Sequence, residues 1–375
     1  MRIGFFTDSY VPEVNGVVTV IEMMTRELKK DGHEIYVFCP SHPGRDEAGT
    51  GVYPFPSVRF AFYKGMRMAI PYNRGALRLI PNLDIIHSHS LGPAGALGLW
   101  ASGKYGIGHI HTYHTLLADY RRYFPRVVRP TRGMVRRLSR SFCNRCDAII
   151  APSGQMKQEL ESYGITRPIY ALPFGIDEQE FSHEVKRDIR SELNLPTEDL
   201  LLYAGRLGIE KNLEFLLRAF CHLLTLRQSA RLIIAGDGPR RRFLERYAGS
   251  LGIAPFVTFT GFLNRSDLID LYKQTLFVFA SKTETQGIVV VEAMMAGAAV
   301  VAVKAMGPQD MIASGETGIL VAEREDEFAQ ACLRLLQNGS ERQKMGEAAR
   351  RWARANSSQA STKKLLEIYS SFVRK

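Results

Sequence analysis

The chain has 375 residues, 45% hydrophobic and 23% charged, ordinary values that exclude a disordered tail protein or a coiled coil and leave room for two domains of about 150 residues each. Its five cysteines are odd in number and scattered, which argues against a secreted disulfide framework and for a reducing, cytoplasmic setting. The net charge of +11 fits nucleic acid, an anionic membrane surface or phosphorylated substrates, and the total does not choose among them.

The first apolar run ends at Asp8, too soon for a secretory leader, and reads as a strand. Further strands are predicted at 34–38, 84–87, 109–112 and 148–151, with amphipathic helices such as 17–30 and 155–163 between them. After a polar segment, 177–198, the rhythm restarts with strands at 200–204, 231–235, 256–260, 276–280 and 299–303. The apolar stretch 287–303 is broken by Glu292 and by glycine, so it is no membrane span. A last amphipathic helix is predicted at 360–373. Strands alternating with helices imply parallel sheets with right-handed crossovers, hence an α/β protein of two doubly wound domains with a linker near 175–195. Ligands bind such sheets at the carboxyl ends of the strands, so two facing sheets are expected to hold substrate in a cleft.

Neither a Gly-x-x-x-x-Gly-Lys-Ser/Thr loop nor a Gly-x-Gly-x-x-Gly turn after a strand is present, which disfavours kinase-like NTPases and dinucleotide dehydrogenases. Gly236-Asp237-Gly238-Pro239 reads as a tight strand-to-helix turn, and Cys143 and Cys146, with no second pair, as packing residues. No Asp-x-Asp pair offers a divalent metal a place beside a diphosphate. The expectation is therefore a site without metal or cofactor, where backbone amides and cations handle phosphate. Gly205-Arg206-Leu207-Gly208-Ile209-Glu210-Lys211-Asn212 supplies such cations, since it leaves a strand and opens a helix with Arg206 and Lys211 flanking the turn. In the segment Glu284 to Ala293, Glu284 is placed in a loop and Glu292 in a helix, with the amides of Gly287 and Ile288 between them. A carboxylate in the apolar run VVVEAMMAG is costly without partners, and ribose hydroxyls would satisfy it.

The GRLxxEK turn followed about 75 residues later by Glu-x7-Glu resembles the retaining nucleotide-sugar glycosyltransferases of the GT-B fold, family four of the sequence classification. The resemblance spans the chain through Pro12-Glu13-Val14-Asn15-Gly16-Val17, His87-Ser88-His89, Thr112-Tyr113-His114-Thr115, Pro152-Ser153 and Pro173-Phe174-Gly175-Ile176-Asp177. Within that family it is similar to bacterial diacylglycerol 3-glucosyltransferases, the monoglucosyldiacylglycerol synthases, through His111-Thr112-Tyr113-His114-Thr115 and Asp119-Tyr120. The resemblance implies two Rossmann-like domains, an acceptor and membrane domain at 1–178 and a nucleotide-sugar domain at 179–356, with 357–375 crossing back to the first. It implies that Arg206 and Lys211 hold the donor diphosphate, that Glu292 binds ribose, and that Glu284, Gly287 and Ile288 grip the sugar. Phe262 would meet the nucleobase through its backbone, Gly16 would let the first loop approach the diphosphate, and His114 would lie beside the transferred sugar. Gln286 departs from the family, which commonly has an aromatic residue there. The implied reaction is hexose transfer with retention, glucose from UDP-glucose to a lipid such as diacylglycerol, with GDP-mannose or another acceptor as the alternative.

Residues 121–145 contain nine arginines and no acid, and residues 59–79 five basic residues and no acid. Together they carry +14, so the remainder of the chain sums to −3. Met134, Leu138 and Phe142 recur every four residues beside Arg136, Arg137 and Arg140, an amphipathic helix suited to an interface. With Arg121, Arg122, Arg126, Arg129 and Arg132 it is expected to dock the protein peripherally on the anionic inner face of the cell membrane, at up to about 1 kcal/mol per cation. Arginines interleaved with aromatics also suit single-stranded nucleic acid, but that reading leaves the second domain unexplained.

Overall fold

Runs of four or five residues, too short for helices, form the strands at the centre of two sheets; those of the first carry histidines and a serine among isoleucines, as in Ile85–Ser88 and Gly108–Thr112, and those of the second are nearly all apolar, as in Leu200–Ala204 and Leu276–Phe279. Such continuous apolar strands mark parallel sheets covered on both faces. The structure, a computed structural model, describes residues 1–13, 15–43, 51–59, 67–116, 129–185, 188–192 and 199–374. The chain divides into two units, Met1–Phe174 with Ser358–Lys375, and Gly175–Ser357.

In the first unit, strands β1 (Arg2–Phe6), β2 (Glu34–Pro40), β3 (Val52–Phe55), β6 (Ile85–Ser88), β7 (Gly108–Thr112), β8 (Ala148–Ala151) and β9 (Ile169–Ala171) form one sheet in the order β3-β2-β1-β6-β7-β8-β9. Every neighbouring pair is parallel. Strands β4 (Ser57–Arg59) and β5 (Arg67–Ala69) make a separate antiparallel pair. The helices are α1 (Gly16–Lys30), α2 (Arg74–Leu79), α3 (Pro93–Tyr105), α4 (Arg132–Cys143) and α5 (Gly154–Ser162). One core cluster joins Phe6, Phe38, Phe55, Ile80, Ile86 and Leu97, with Phe6 stacked on Phe38 at 4.5 Å.

The second unit has strands β10 (Leu200–Ala204), β11 (Arg231–Ala235), β12 (Val257–Gly261), β13 (Leu276–Phe279), β14 (Val300–Val303) and β15 (Ile319–Val321), in the order β12-β11-β10-β13-β14-β15. These pairs too are all parallel. Its helices are α6 (Ile189–Glu192), α7 (Leu213–Leu226), α8 (Arg241–Ser250), α9 (Arg265–Gln274), α10 (Ile288–Ala296), α11 (Met306–Met311), α12 (Glu325–Gln337) and α13 (Gly339–Ala355).

The last helix, α14 (Ser358–Ser370), belongs to the first unit and packs beside α1. Its Tyr369 is fully buried, and Tyr369 Oη lies 2.6 Å from His87 Nδ1 of β6. Beyond it Arg374 pairs with Asp147 at 2.9 Å. Among the described residues no helix is long and apolar enough to cross a membrane.

Candidate active site

In both sheets the strand order reverses beside the first strand, at β1 between β2 and β6 and at β10 between β11 and β13. Loops leaving the two strands at such a reversal lead to helices on opposite faces of the sheet, and ligand binds in the crevice at the strand ends. In the second unit these loops are Gly205 to Asn212 after β10 and Ala280 to Gly287 after β13, the two segments singled out in the sequence. They converge: Lys211 Nζ donates to Glu284 Oε1, and Ser281 Oγ donates to the same oxygen at 3.2 Å. Ser281 Oγ also lies 3.2 Å from the Glu210 carbonyl, and Asn212 Nδ2 donates to the Ala280 carbonyl at 3.3 Å, tying the loops together. Asn212 has φ = 55°, a left-handed conformation that asparagine tolerates better than most residues. Burial works against the charge of Lys211, but Glu284 and then Tyr203 outweigh it and raise its pKa above the ordinary lysine value. The lysine is therefore a fixed cation over the neutral range.

Arg206 is half-buried, and its carbonyl accepts from Tyr203 Oη at 3.3 Å. The turn is braced by the loop after β11, where a Cβ on Gly236 would stand 2.0 Å from the Gly205 carbonyl oxygen and one on Gly238 would stand 2.6 Å from that of Leu207. The Gly-Asp-Gly segment thus lets two backbones touch, as a tight turn requires.

Gly287, with φ = 91°, is the N-cap of α10 and makes no side-chain cap bond, and Ile288 opens the helix. Gln286 is buried, and a Cβ on Gly307 would lie 2.3 Å from its carbonyl oxygen, so the loop is clamped from behind. Glu292 sits one turn into α10, 4% exposed. Here the structure corrects an expectation: the burial of this carboxylate needs no ribose, because Arg265 Nη1 donates to Oε1 at 2.5 Å and Tyr272 Oη to Oε2 at 3.0 Å. Arg265 also donates to Glu180 at 3.2 Å, and the two carboxylates hold its pKa above the ordinary value against the effect of burial. Sequence reasoning missed Arg265 and Tyr272, which stand on α9 in no recognisable motif. Phe262, after Gly261 at the end of β12, is 67% exposed, a large apolar side chain left in solvent.

At the reversal in the first unit, Asp8 is buried and accepts from Ser90 Oγ at 2.5 Å and from the Ala94 amide at 3.1 Å. Burial raises its pKa despite those donors. Asn15 caps α1, accepting from the Val17 and Val18 amides at 3.0 and 3.1 Å, with Gly16 exposed at the first helical position. His87, His89, His109 and His111 are buried among sheet residues. His87 Nε2 lies 2.6 Å from Thr112 Oγ1, and Ser88 Oγ lies 2.8 Å from both His109 and His111. Burial pushes His109 and His111 down to about 3. His114 is half-buried, stacks on Phe174 with ring centres 5.8 Å apart, and has Nε2 2.9 Å from His89 Nδ1. Cys143 and Cys146 are free and buried, the Cys143 thiol pushed up to about 12 by burial.

Arg121, Arg122 and Arg126 lie outside the described residues. Helix α4 carries Arg132, Arg136, Arg137 and Arg140 on its surface, following Arg129. Met134 and Leu138 are 60% and 58% exposed among them. Phe142 does not belong to that face: it is 8% exposed and packs edge-on against His109 and His111, so it anchors the helix inward with Val135 and Ser139. Arg136 is partly occupied, 3.5 Å from Glu159 and over the Tyr163 ring at 5.1 Å.

Two family descriptions match the sequence, Glycosyltransferase Family 4 over residues 14–180 and Glycosyl transferases group 1 over residues 185–352. An alpha-monoglucosyldiacylglycerol synthase from Streptococcus pneumoniae is 35% identical over 80% of this chain and 71% of its own length. A GDP-mannose-dependent alpha-mannosyltransferase from Mycobacterium tuberculosis is 29% identical over 94% of this chain and 91% of its own. The crystal structure of Anabaena HepE in complex with UDP-glucose superposes with a TM-score of 0.80 at 19% identity, covering 99% of this chain and all of that one, and so shares its fold.

Proposed function

The chain belongs to the group 1 glycosyltransferases of GT-B fold with a family 4 amino-terminal half, and from that premise we propose that it transfers glucose from UDP-glucose, with retention, to a diacylglycerol-type lipid at an anionic membrane surface. The observation that carries the reading is the meeting of Lys211 with Glu284 between two loops that flank the strand-order reversal of the second unit. There Arg206 and Lys211 take the diphosphate, Glu284 with the Gly287 and Ile288 amides takes the sugar, Phe262 receives the base, and Glu292, held by Arg265 and Tyr272, faces the ribose. Gly16 is assigned to the diphosphate and His114 to the transferred sugar on the likeness of their sequence motifs alone. The bond from sugar C1 to the phosphate oxygen breaks as the acceptor oxygen bonds to C1 from the same face, and the acceptor proton passes to a phosphate oxygen of the departing diphosphate. Negative charge grows on that diphosphate, so two fixed cations stabilise the transition state more than the ground state. The sequence offers no Asp-x-Asp pair, and the reaction as proposed uses these cations in place of a metal or cofactor.

The acceptor half rests on α4, where Met134 and Leu138 stand in solvent between arginines. An apolar strip with a cationic surround fits the boundary between headgroups and acyl chains. The relative from S. pneumoniae bears the name of a diacylglycerol glycosylating enzyme. A second reading, mannose from GDP-mannose onto a lipid, is favoured by the mannosyltransferase relatives. Labelled UDP-glucose, UDP-galactose and GDP-mannose, each offered with diacylglycerol vesicles, a monoglycosyl lipid and water-soluble acceptors, separate the two. Label in a lipid from UDP-glucose alone supports the first reading, label from GDP-mannose alone supports the second, and label in no lipid refutes the acceptor assignment.

A further inference from the structure

His89 follows β6 and His114 follows β7, two strands paired in parallel with Ser88 opposite His111. That register brings the rings together, His89 Nδ1 standing 2.9 Å from His114 Nε2 with the ring centres 5.2 Å apart and the planes 29° from parallel. His89 is 4% exposed. Phe5 holds it edge-on at 5.0 Å and His87 lies against it at 4.2 Å, so its ring has little freedom to turn. Its other nitrogen, Nε2, is buried and has no hydrogen-bond partner among the described residues.

Both imidazoles are neutral, because burial holds their pKa values below the ordinary histidine value. A neutral imidazole has one N–H and one bare nitrogen, so a single proton lies between His89 Nδ1 and His114 Nε2. If His114 supplied that proton, His89 would carry its own on Nε2, where a buried N–H would find no acceptor. Donation by His89 Nδ1 leaves a bare nitrogen at that place instead. Orphaned buried N–H groups are the rarer and more costly kind. The proton therefore sits on His89 Nδ1, His114 accepts it at Nε2, and His114 keeps its own proton on Nδ1, since the bond made by one ring nitrogen sets the state of the other.

We propose that His89 is a positioning residue for the transfer reaction: it fixes His114 as the Nδ1–H tautomer and holds its ring plane, so that His114 offers a donor to a hydroxyl oxygen of the transferred sugar. The inference rests on the reading that places His114 beside that sugar. His109 and His111, which share Ser88 on the neighbouring register positions, make no such bond to His114.

The test combines nitrogen-15 NMR of histidine-labelled protein, with the His114 signals assigned through His114→Ala, and steady-state kinetics of His114→Ala, His89→Leu and His89→Asn. Asparagine keeps an amide N–H near the place of Nδ1–H, while leucine fills the space without a donor. The expected spectrum has His114 protonated at Nδ1 and bare at Nε2. A proton on Nε2 overturns the proposal without reference to activity. His89→Leu is expected to mix the His114 tautomers and to lower kcat by about tenfold or more at an unchanged donor KM, and His89→Asn to recover most of that loss. Equal losses in both His89 variants, with melting temperature and donor KM unchanged, would mean a packing role and overturn it. Wild-type turnover in His114→Ala would fell the reading of the sugar site itself; loss in His114→Ala with none in His89→Leu would fell only the role of His89.

Discussion

Replacing Lys211 with alanine removes the ammonium that meets Glu284 and, on this account, the departing diphosphate. A unit charge 4 Å from a phosphate contributes about 4 kcal/mol at an effective dielectric of 20. The side chains of Lys211 and Glu284 are 17% and 20% exposed, so solvent screens them only in part, but Glu284 takes up some of the same field. Halving the figure leaves about 2 kcal/mol, which is roughly thirtyfold in rate at 1.36 kcal/mol per decade. Lys211 stays ionised across the assay range, because Glu284 and Tyr203 raise its pKa against the pull of burial, so pH adjustment cannot mimic the variant. The assay is kcat at saturating UDP-glucose for Lys211→Ala, with melting temperature as the control for folding. A fall of thirtyfold or more in a folded protein is expected. Turnover within threefold of the parent would refute the diphosphate role.

Met134→Asp with Leu138→Asp changes two exposed side chains, so stability should move by no more than about 1 kcal/mol while binding to anionic vesicles in a flotation assay falls at least tenfold; undiminished binding would place the docking face elsewhere. Tyr369→Ala opens a cavity at a fully buried position and strips His87 Nδ1 of its partner, a cost of about 3–5 kcal/mol in urea unfolding; a cost under 1 kcal/mol would mean that α14 is weakly held. Acid should destabilise the first unit: burial holds His87, His89, His109 and His111 below the ordinary value, the last two at about 3. The unfolded chain binds protons from about pH 6.5 that the native chain refuses, so stability is lost as pH falls from there toward 3, by up to about 1.4 kcal/mol per pH unit for each histidine. Asp8, raised by burial, opposes this with one group. A melting temperature unchanged between pH 7.5 and 5 would contradict it.

Much of the second unit was legible because most of its strands are wholly or nearly apolar: β10 and β11 fall at the predicted limits, and β12, β13 and β14 within one residue of them. The strands that went unread are edges and the hairpin. Strand β3 carries Pro54, which can donate no ladder bond and suits only an edge, while β9 and β15 have three residues each. The meeting of Lys211 with Glu284 could be anticipated as two loops at strand ends, but their adjacency needed the strand order, with Leu201 opposite Leu276. The partners of Glu292 were invisible, because Arg265 and Tyr272 lie on a different helix and no local pattern marks a long-range ion pair. Phe142 was misassigned for a geometric reason: steps of four residues advance about 40° each around a helix, so Met134 to Phe142 drifts about 80° and leaves the exposed strip. The buried stripe instead follows Val135, Ser139 and Phe142.

The most direct test of the account is the identity and anomeric configuration of the lipid formed from UDP-glucose and diacylglycerol in anionic vesicles, read by proton NMR of the purified product. The account predicts a monoglucosyl diacylglycerol whose sugar keeps the α configuration of the donor. A β-glucoside would contradict same-face transfer, and the absence of any glucosyl lipid, with the donor consumed on another acceptor or not at all, would contradict the function itself.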